Sequence, residues 1–131
     1  MIASALCIVV GTALVSIPAQ RFTLRWQHTV EKVAWEEDYV VAGAWLYLAA
    51  ARVRGSGAGM EPPPDAVRVG DAWHYRPKER WLLELKLARS EFGRDYELCV
   101  DQACRPMSSW VPEPLAPTTL SACAASPPGV R

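Results

Sequence analysis

Neither sign of charge is in excess in this chain of 131 residues: Lys and Arg number 14, Asp and Glu number 14, and the formal net charge is zero. That balance excludes the broad basic footprint of a nucleic-acid binder. The chain also lacks any convincing 3.6-residue apolar period beyond its N-terminus, which sets aside helical folds. No Lys-Ser or Lys-Thr completes a phosphate loop, and no metal triad, cofactor motif or paired nucleophile and base stands out. With 50% hydrophobic and 21% charged residues, the chain is one small domain with enough apolar side chain for a single core.

Charge is missing altogether from residues 1–20, and the stretch from Ile2 to Ile17 is almost wholly apolar. A secretory segment has about 7–15 such residues ending in small ones, as at Ser16-Ile17-Pro18-Ala19, whereas a membrane-spanning helix needs roughly 20. The reading is an apolar signal or anchor helix over residues 1–20, with membrane contact through that segment. A buried core helix is disfavoured because no polar residue marks a solvent face. The expected location is periplasmic or otherwise extracytoplasmic, secreted or anchored to the inner membrane. Arg21 and Arg25 follow the segment and no basic residue precedes it, which weighs against cleavage and export. Cys7 reads as one more apolar residue.

Beyond residue 20 the chain reads as strands. Phe22, Leu24, Trp26, His28 and Val30 alternate with Thr23, Arg25, Gln27 and Thr29, the period-2 pattern of a half-buried strand. The next apolar set, Val33, Trp35, Tyr39 and Val41, has the opposite parity, so one residue of phase is absorbed near Glu31-Lys32. A bulge or a turn can do this, and a bulge is preferred because neither Glu nor Lys suits a tight hairpin turn. Residues 33–41 read as a second strand, 45–54 as a central strand, 67–69 and 73–75 as a hairpin about Gly70-Asp71, and 81–88 as one strand with Trp81, Leu83, Leu85 and Leu87 inward. A last hairpin turns at Asp101-Gln102. The fold class is all-β: a small antiparallel sandwich or barrel of about eight short strands over residues 21–110. Residues 111–131, rich in Pro, Ser, Ala and Thr, read as a disordered tail.

Three places carry candidate chemistry. Cys99 and Cys104 flank the Asp101-Gln102 turn and fall opposite each other in a non-hydrogen-bonded pair, within reach of a disulfide. The rivals are a zinc site with His28 or His74, or two free thiols, and Cys123 is left over in the tail. The cluster His28, Glu31, Lys32, Glu36, Glu37 and Asp38 contains an acid–base pair's ingredients, but a lone His on an apolar face is more often structural. If His28 and Glu37 face inward they pair, since burying either alone is costly. Residues 55–64 hold three glycines and three prolines, a long irregular loop. It follows Arg52 and Arg54, so Arg54 with Gly55, Gly57 and Gly59 could receive a carboxylate. So small a body leaves little interior for a pocket of several hundred cubic ångströms.

The motifs His28-Thr29-Val30-Glu31-Lys32, Trp35-Glu36-Glu37 and Arg54-Gly55-Ser56-Gly57-Ala58-Gly59-Met60-Glu61-Pro62-Pro63, with Leu87-Ala88-Arg89-Ser90 and residues 99–104, together resemble an uncharacterised bacterial family catalogued as domain of unknown function eighteen-fifty. Thr29 stands where the family pattern leads one to expect Ser. The resemblance implies association with tripartite ATP-independent periplasmic (TRAP) transporters that use a TAXI-type substrate-binding protein. It brings no catalytic residues and no cofactor. On this basis the chain is expected to be a non-enzymatic exported accessory protein, docking to the transporter's membrane subunits or to its binding protein. The expected docking residues are His28, Glu31, Lys32, Trp35, Glu36, Arg54, Gly55, Gly57, Gly59 and Glu61. The alternative is a periplasmic module binding a small organic anion.

Overall fold

The computed structural model describes residues 4–27, 34–54, 64–78, 80–89, 94–111 and 115–124. They form strands β1 (Ser4–Val10), β2 (Ala13–Ile17), β3 (Arg21–Gln27), β4 (Ala34–Ala42), β5 (Trp45–Arg54), β6 (Val67–Val69) and β7 (Ala72–Tyr75). After these come β8 (Trp81–Leu82), β9 (Glu84–Leu87), β10 (Glu97–Val100), β11 (Ala103–Pro106), the single-turn helix α1 (Met107–Trp110) and β12 (Thr118–Ala124). A large antiparallel sheet runs β11-β10-β3-β4-β5-β7-β6, with β8 also paired to β5, and a small one runs β2-β1-β12-β9. Neither closes into a barrel. The two bury one shared core, in which Leu6, Ile8, Val10 and Leu120 of the small sheet meet Phe22, Leu24, Tyr39, Val41, Leu46 and Leu98 of the large one.

The expected N-terminal helix is instead the hairpin β1–β2. Ala5, Leu6 and Ile8 are fully buried and Cys7 nearly so, and a strand covered on both faces reads as the continuous apolar run that suggested a helix. Gly11, at φ +59°, supplies the left-handed position that reverses the chain. Among the described residues, no helix is long and apolar enough to cross a membrane. The expectation of a disordered tail is corrected over residues 118–124, where β12 lies between β1 and β9 and pairs with both, while 125–131 lie outside the described residues. Its Thr118-Thr119-Leu120-Ser121-Ala122 is weakly apolar by itself, and order comes from two flanking ladders and a covalent link. That link is a Cys7–Cys123 disulfide with Cα atoms 5.9 Å apart. Cys123 is therefore no leftover thiol and Cys7 no mere apolar filler.

β5 has the predicted bounds and is central, bonded to β4 on one side and β7 and β8 on the other. The single strand expected over residues 81–88 breaks at Leu83: β8 joins the large sheet and β9 the small one. Strict inward alternation fails there, for Trp81 and Leu83 are 56% and 60% exposed. The phase change after Gln27 arises from a chain reversal and not from a bulge within one strand, since β3 and β4 are antiparallel partners from Arg21↔Val40 to Gln27↔Ala34. Residues 28–33 themselves lie outside the described residues. A register shift does occur further on, between Asp38 and Tyr39, where Ala49 is the extra residue on β5. The last hairpin turns at Asp101 and Gln102, at φ 50° and 68°, with Cys99 directly opposite Cys104.

Candidate functional site

The register brings the sequence motifs to one end of the large sheet. Ala34 of β4 and Arg54 of β5 are direct partners, so residues 28–33 and 55–63 leave the sheet from adjacent positions. His28, Glu31, Lys32, Gly55, Gly57, Gly59 and Glu61 fall in those segments and lie outside the described residues, as does the expected His28–Glu37 pair. Trp35, Glu36 and Arg54 are described, and the three lie close together.

The face turned away from the small sheet carries a lattice of ion pairs. Glu36-x-Asp38 and Arg52-x-Arg54 each keep one parity, and the hairpin register sets Glu36 directly opposite Arg52, with Asp38 and Arg54 at the diagonal positions on either side. Glu36, only 7% exposed, takes the Nε of Arg25 at 3.0 Å, of Arg52 at 3.2 Å and of Arg54 at 2.9 Å. Arg52 reaches Asp38 at 2.6 and 2.9 Å, Arg54 reaches Asp71 at 3.0 Å, and Arg25 reaches Glu97 at 3.6 Å. Burial alone would raise the pKa of Glu36, but hydrogen bonds from Arg54 and Arg52 prevail and hold it below its ordinary value. Asp38 is lowered chiefly by its bond from Arg52, with help from the Thr23 hydroxyl at 2.8 Å. Arg54 is thus already engaged by two carboxylates of its own chain, and an incoming carboxylate would compete with Glu36 and Asp71.

Next to the lattice lies an open cleft of about 460 Å³, lined by Arg25, Trp26, Trp35, Arg94, Asp95 and Glu97 among others. Its volume exceeds the little interior space the sequence suggested, because it sits outside the core where the sheet ends. Trp26 and Trp35 are direct cross-strand partners with parallel rings 6.0 Å apart, and Tyr96 tilts against Trp26 at 5.9 Å. Beside the cleft, Arg89 is fully buried in a bidentate bond to Asp95 at 2.9 and 3.0 Å and also donates to Thr118 Oγ1 at 2.9 Å. Asp95 further accepts the backbone N–H groups of Tyr96 and Ser108, both at 2.9 Å. Burial pulls its pKa upward, but the Arg89 bond and charge together with the two backbone N–H groups prevail and leave it lowered. Arg89 therefore ties β9, the approach to β10, α1 and β12 together.

Cys99 and Cys104 are bonded, with Cα atoms 4.0 Å apart, which leaves neither thiolate for zinc. Among the described residues, no group of three or more His, Cys, Asp or Glu could hold a metal ion. The sequence reading missed Arg25, Trp26, Asp71, Arg94 and Glu97. Arg25 and Trp26 carried a signal, in that they adjoin the opening strand's end, but Asp71, Arg94 and Glu97 arrive through long-range pairing.

The family model described as Domain of unknown function (DUF1850) matches residues 22–107. The chain belongs to that family. No curated protein matches it, and no solved structure does. The matched span of this DUF1850 protein covers the large sheet and β9, including the whole ion-pair lattice and the cleft, whereas β1, β2 and β12 of the small sheet lie outside it.

Proposed function

We propose that this DUF1850 protein is a non-enzymatic exported accessory protein of a TAXI-type TRAP transporter, docking to its membrane subunits or substrate-binding protein through the cleft end of the large sheet. The observation that carries the docking reading is the cleft, an open groove lined by Trp26, Trp35, Arg25 and Arg94. Tryptophan and arginine are the residue types that dominate binding energy at protein interfaces. The transporter as partner rests on the motif resemblance. Two disulfides support an oxidising, extracytoplasmic location. The non-enzymatic reading is supported by Glu36, Asp38 and Asp95, each held ionised by arginine and so poorly suited to deliver a proton.

A second reading, a periplasmic module for a small organic anion, is favoured by the volume of the cleft, within the size range of ligand sites, and by the arginines on its rim. Co-purification of the full chain with the transporter's membrane subunits and binding protein separates the two. The wild type is expected to be retained, and Trp35→Ala and Arg94→Ala to weaken retention. Absence of retention on either component refutes docking. Micromolar binding of a dicarboxylate to the isolated protein, abolished by Arg94→Ala, would establish the second reading in its place.

A further inference from the structure

A second group of side chains, on the opposite face of the same sheet, shares Trp26 and Trp35 with the docking cleft and adds to them a carboxylate, Glu37, that the docking reading does not use. Pairing runs Leu98–Leu24–Glu37–Ala51–Tyr75 across β10, β3, β4, β5 and β7, so Glu37 occupies a position flanked by core residues. The adjacent row runs Trp26–Trp35–Val53–Trp73 and continues to Tyr96 against Trp26. Phe22, Leu24, Tyr39 and Leu98 belong to the contiguous core, but Trp35, Trp73, Tyr75 and Glu37 stand outside it and are half-buried.

A carboxylate on an apolar face has to be stabilised by something. Tyr39 donates its hydroxyl to Glu37 Oε1 at 2.8 Å, and the phenols of Tyr75 and Tyr96 lie within the field of the same carboxylate. Among the described residues the Tyr39 bond is the hydrogen bond that Glu37 accepts, and a carboxylate has about four acceptor sites. Trp26, Trp35 and Tyr96 occupy the neighbouring row, and aromatic faces, with their negative quadrupoles, favour a positive charge. This row already holds one: the Arg68 guanidinium stands 5.6 Å from the centre of the Trp73 ring.

We propose that Glu37, with Tyr75, Tyr96, Trp26 and Trp35, forms a binding site for an organic ammonium group. The carboxylate supplies the counter-charge, the phenol oxygens accept N–H bonds, and the tryptophan rings cover the alkyl part. A free solute or a lysine of a partner protein could present that group, and the chemistry of recognition is the same. The site does not depend on a transporter being the partner.

Titration of the intact protein, followed by tryptophan fluorescence and calorimetry, tests this. Butylammonium stands for a free solute, with butan-1-ol as its uncharged equivalent. Acetyl-lysine methylamide stands for a partner's lysine, with acetyl-norleucine methylamide as its uncharged equivalent. At least one cation is expected to bind about tenfold or more tightly than its neutral counterpart, as a combined ion pair and cation–π contact implies. Which cation does so identifies the source. Glu37→Gln, which keeps the shape and the Tyr39 bond, is expected to abolish the preference, and Trp35→Leu to weaken both cations. The proposal is overturned if neither cation is preferred, or if the preference survives Glu37→Gln.

Discussion

Replacing Glu36 by Gln probes the ion-pair lattice at its centre. The Glu36 carboxylate takes three guanidinium bonds, at 3.0, 3.2 and 2.9 Å, and the residue is 7% exposed. Gln keeps one acceptor oxygen and turns an amide toward the arginines, which are themselves only donors. Hydrogen bonds to charged groups contribute about 1.5–3 kcal/mol each, which sets an upper limit well above what is expected. Each arginine retains a second carboxylate, Glu97, Asp38 or Asp71, and the side chains of Arg25 and Arg54 are 40% and 42% exposed, so water softens the loss. The expected cost is about 2–3 kcal/mol, below the roughly 3–5 kcal/mol for stripping a fully buried pair. For a domain of this size that is a fall in Tm of roughly 6–12 °C. Thermal and urea unfolding at neutral pH measure it, with Arg25→Gln as a control expected to cost under about 1 kcal/mol because its pairs are partly exposed. The folded pKa of Glu36 is depressed, so its contribution is present above the ordinary value of 4.5 and is lost as pH falls through the lower folded value. The difference between wild type and variant should therefore close in acid. A cost below about 0.5 kcal/mol at neutral pH would show that the lattice is surface decoration of the kind that contributes little.

Two further outcomes concern the inner face and the small sheet. Glu37 has a raised pKa, from burial opposed by the Tyr39 bond, so its ionisation counts against the folded state, and its contribution is lost as pH rises through the folded value. Glu37→Gln should accordingly melt above the wild type at neutral pH and match it in acid below the ordinary 4.5; a lower melting temperature at neutral pH would contradict this placement. Cys7 and Cys123 close a loop with a sequence separation of 116, for which chain entropy predicts about 4–5 kcal/mol. Cys7→Ser/Cys123→Ser should lose about 2–5 kcal/mol in chemical denaturation, and a loss under about 1 kcal/mol would mean that the small sheet is held by its ladders alone.

Local pattern made β3, β4, β5 and the two short hairpins legible, because alternation and turn chemistry are properties of a few neighbouring residues. Val67–Val69 and Ala72–Tyr75 about Gly70, and Cys99 opposite Cys104 about Asp101-Gln102, needed nothing beyond the strand period and a turn that accepts positive φ. The same local pattern misread Ser4–Val10, since an apolar run covered on both faces is identical whether helix or strand, and Gly11 was the one mark of a reversal. It also misread Thr118–Ala124, whose order comes from β9 and from β1 and Cys7 far away in the chain, Ser4 being the partner of Ala124. At the candidate site, the motif resemblance supplied Trp35 and Glu36, the glycine-rich loop pointed to Arg54, and parity placed Glu37 on an apolar face. Only the register of β3, β4, β5 and β10 decided that Arg54 is already paired, that Glu36 is shared by three arginines, and that Trp26, Trp35 and Tyr96 stand together. Such pairings join residues far apart in the chain, and no local propensity encodes them.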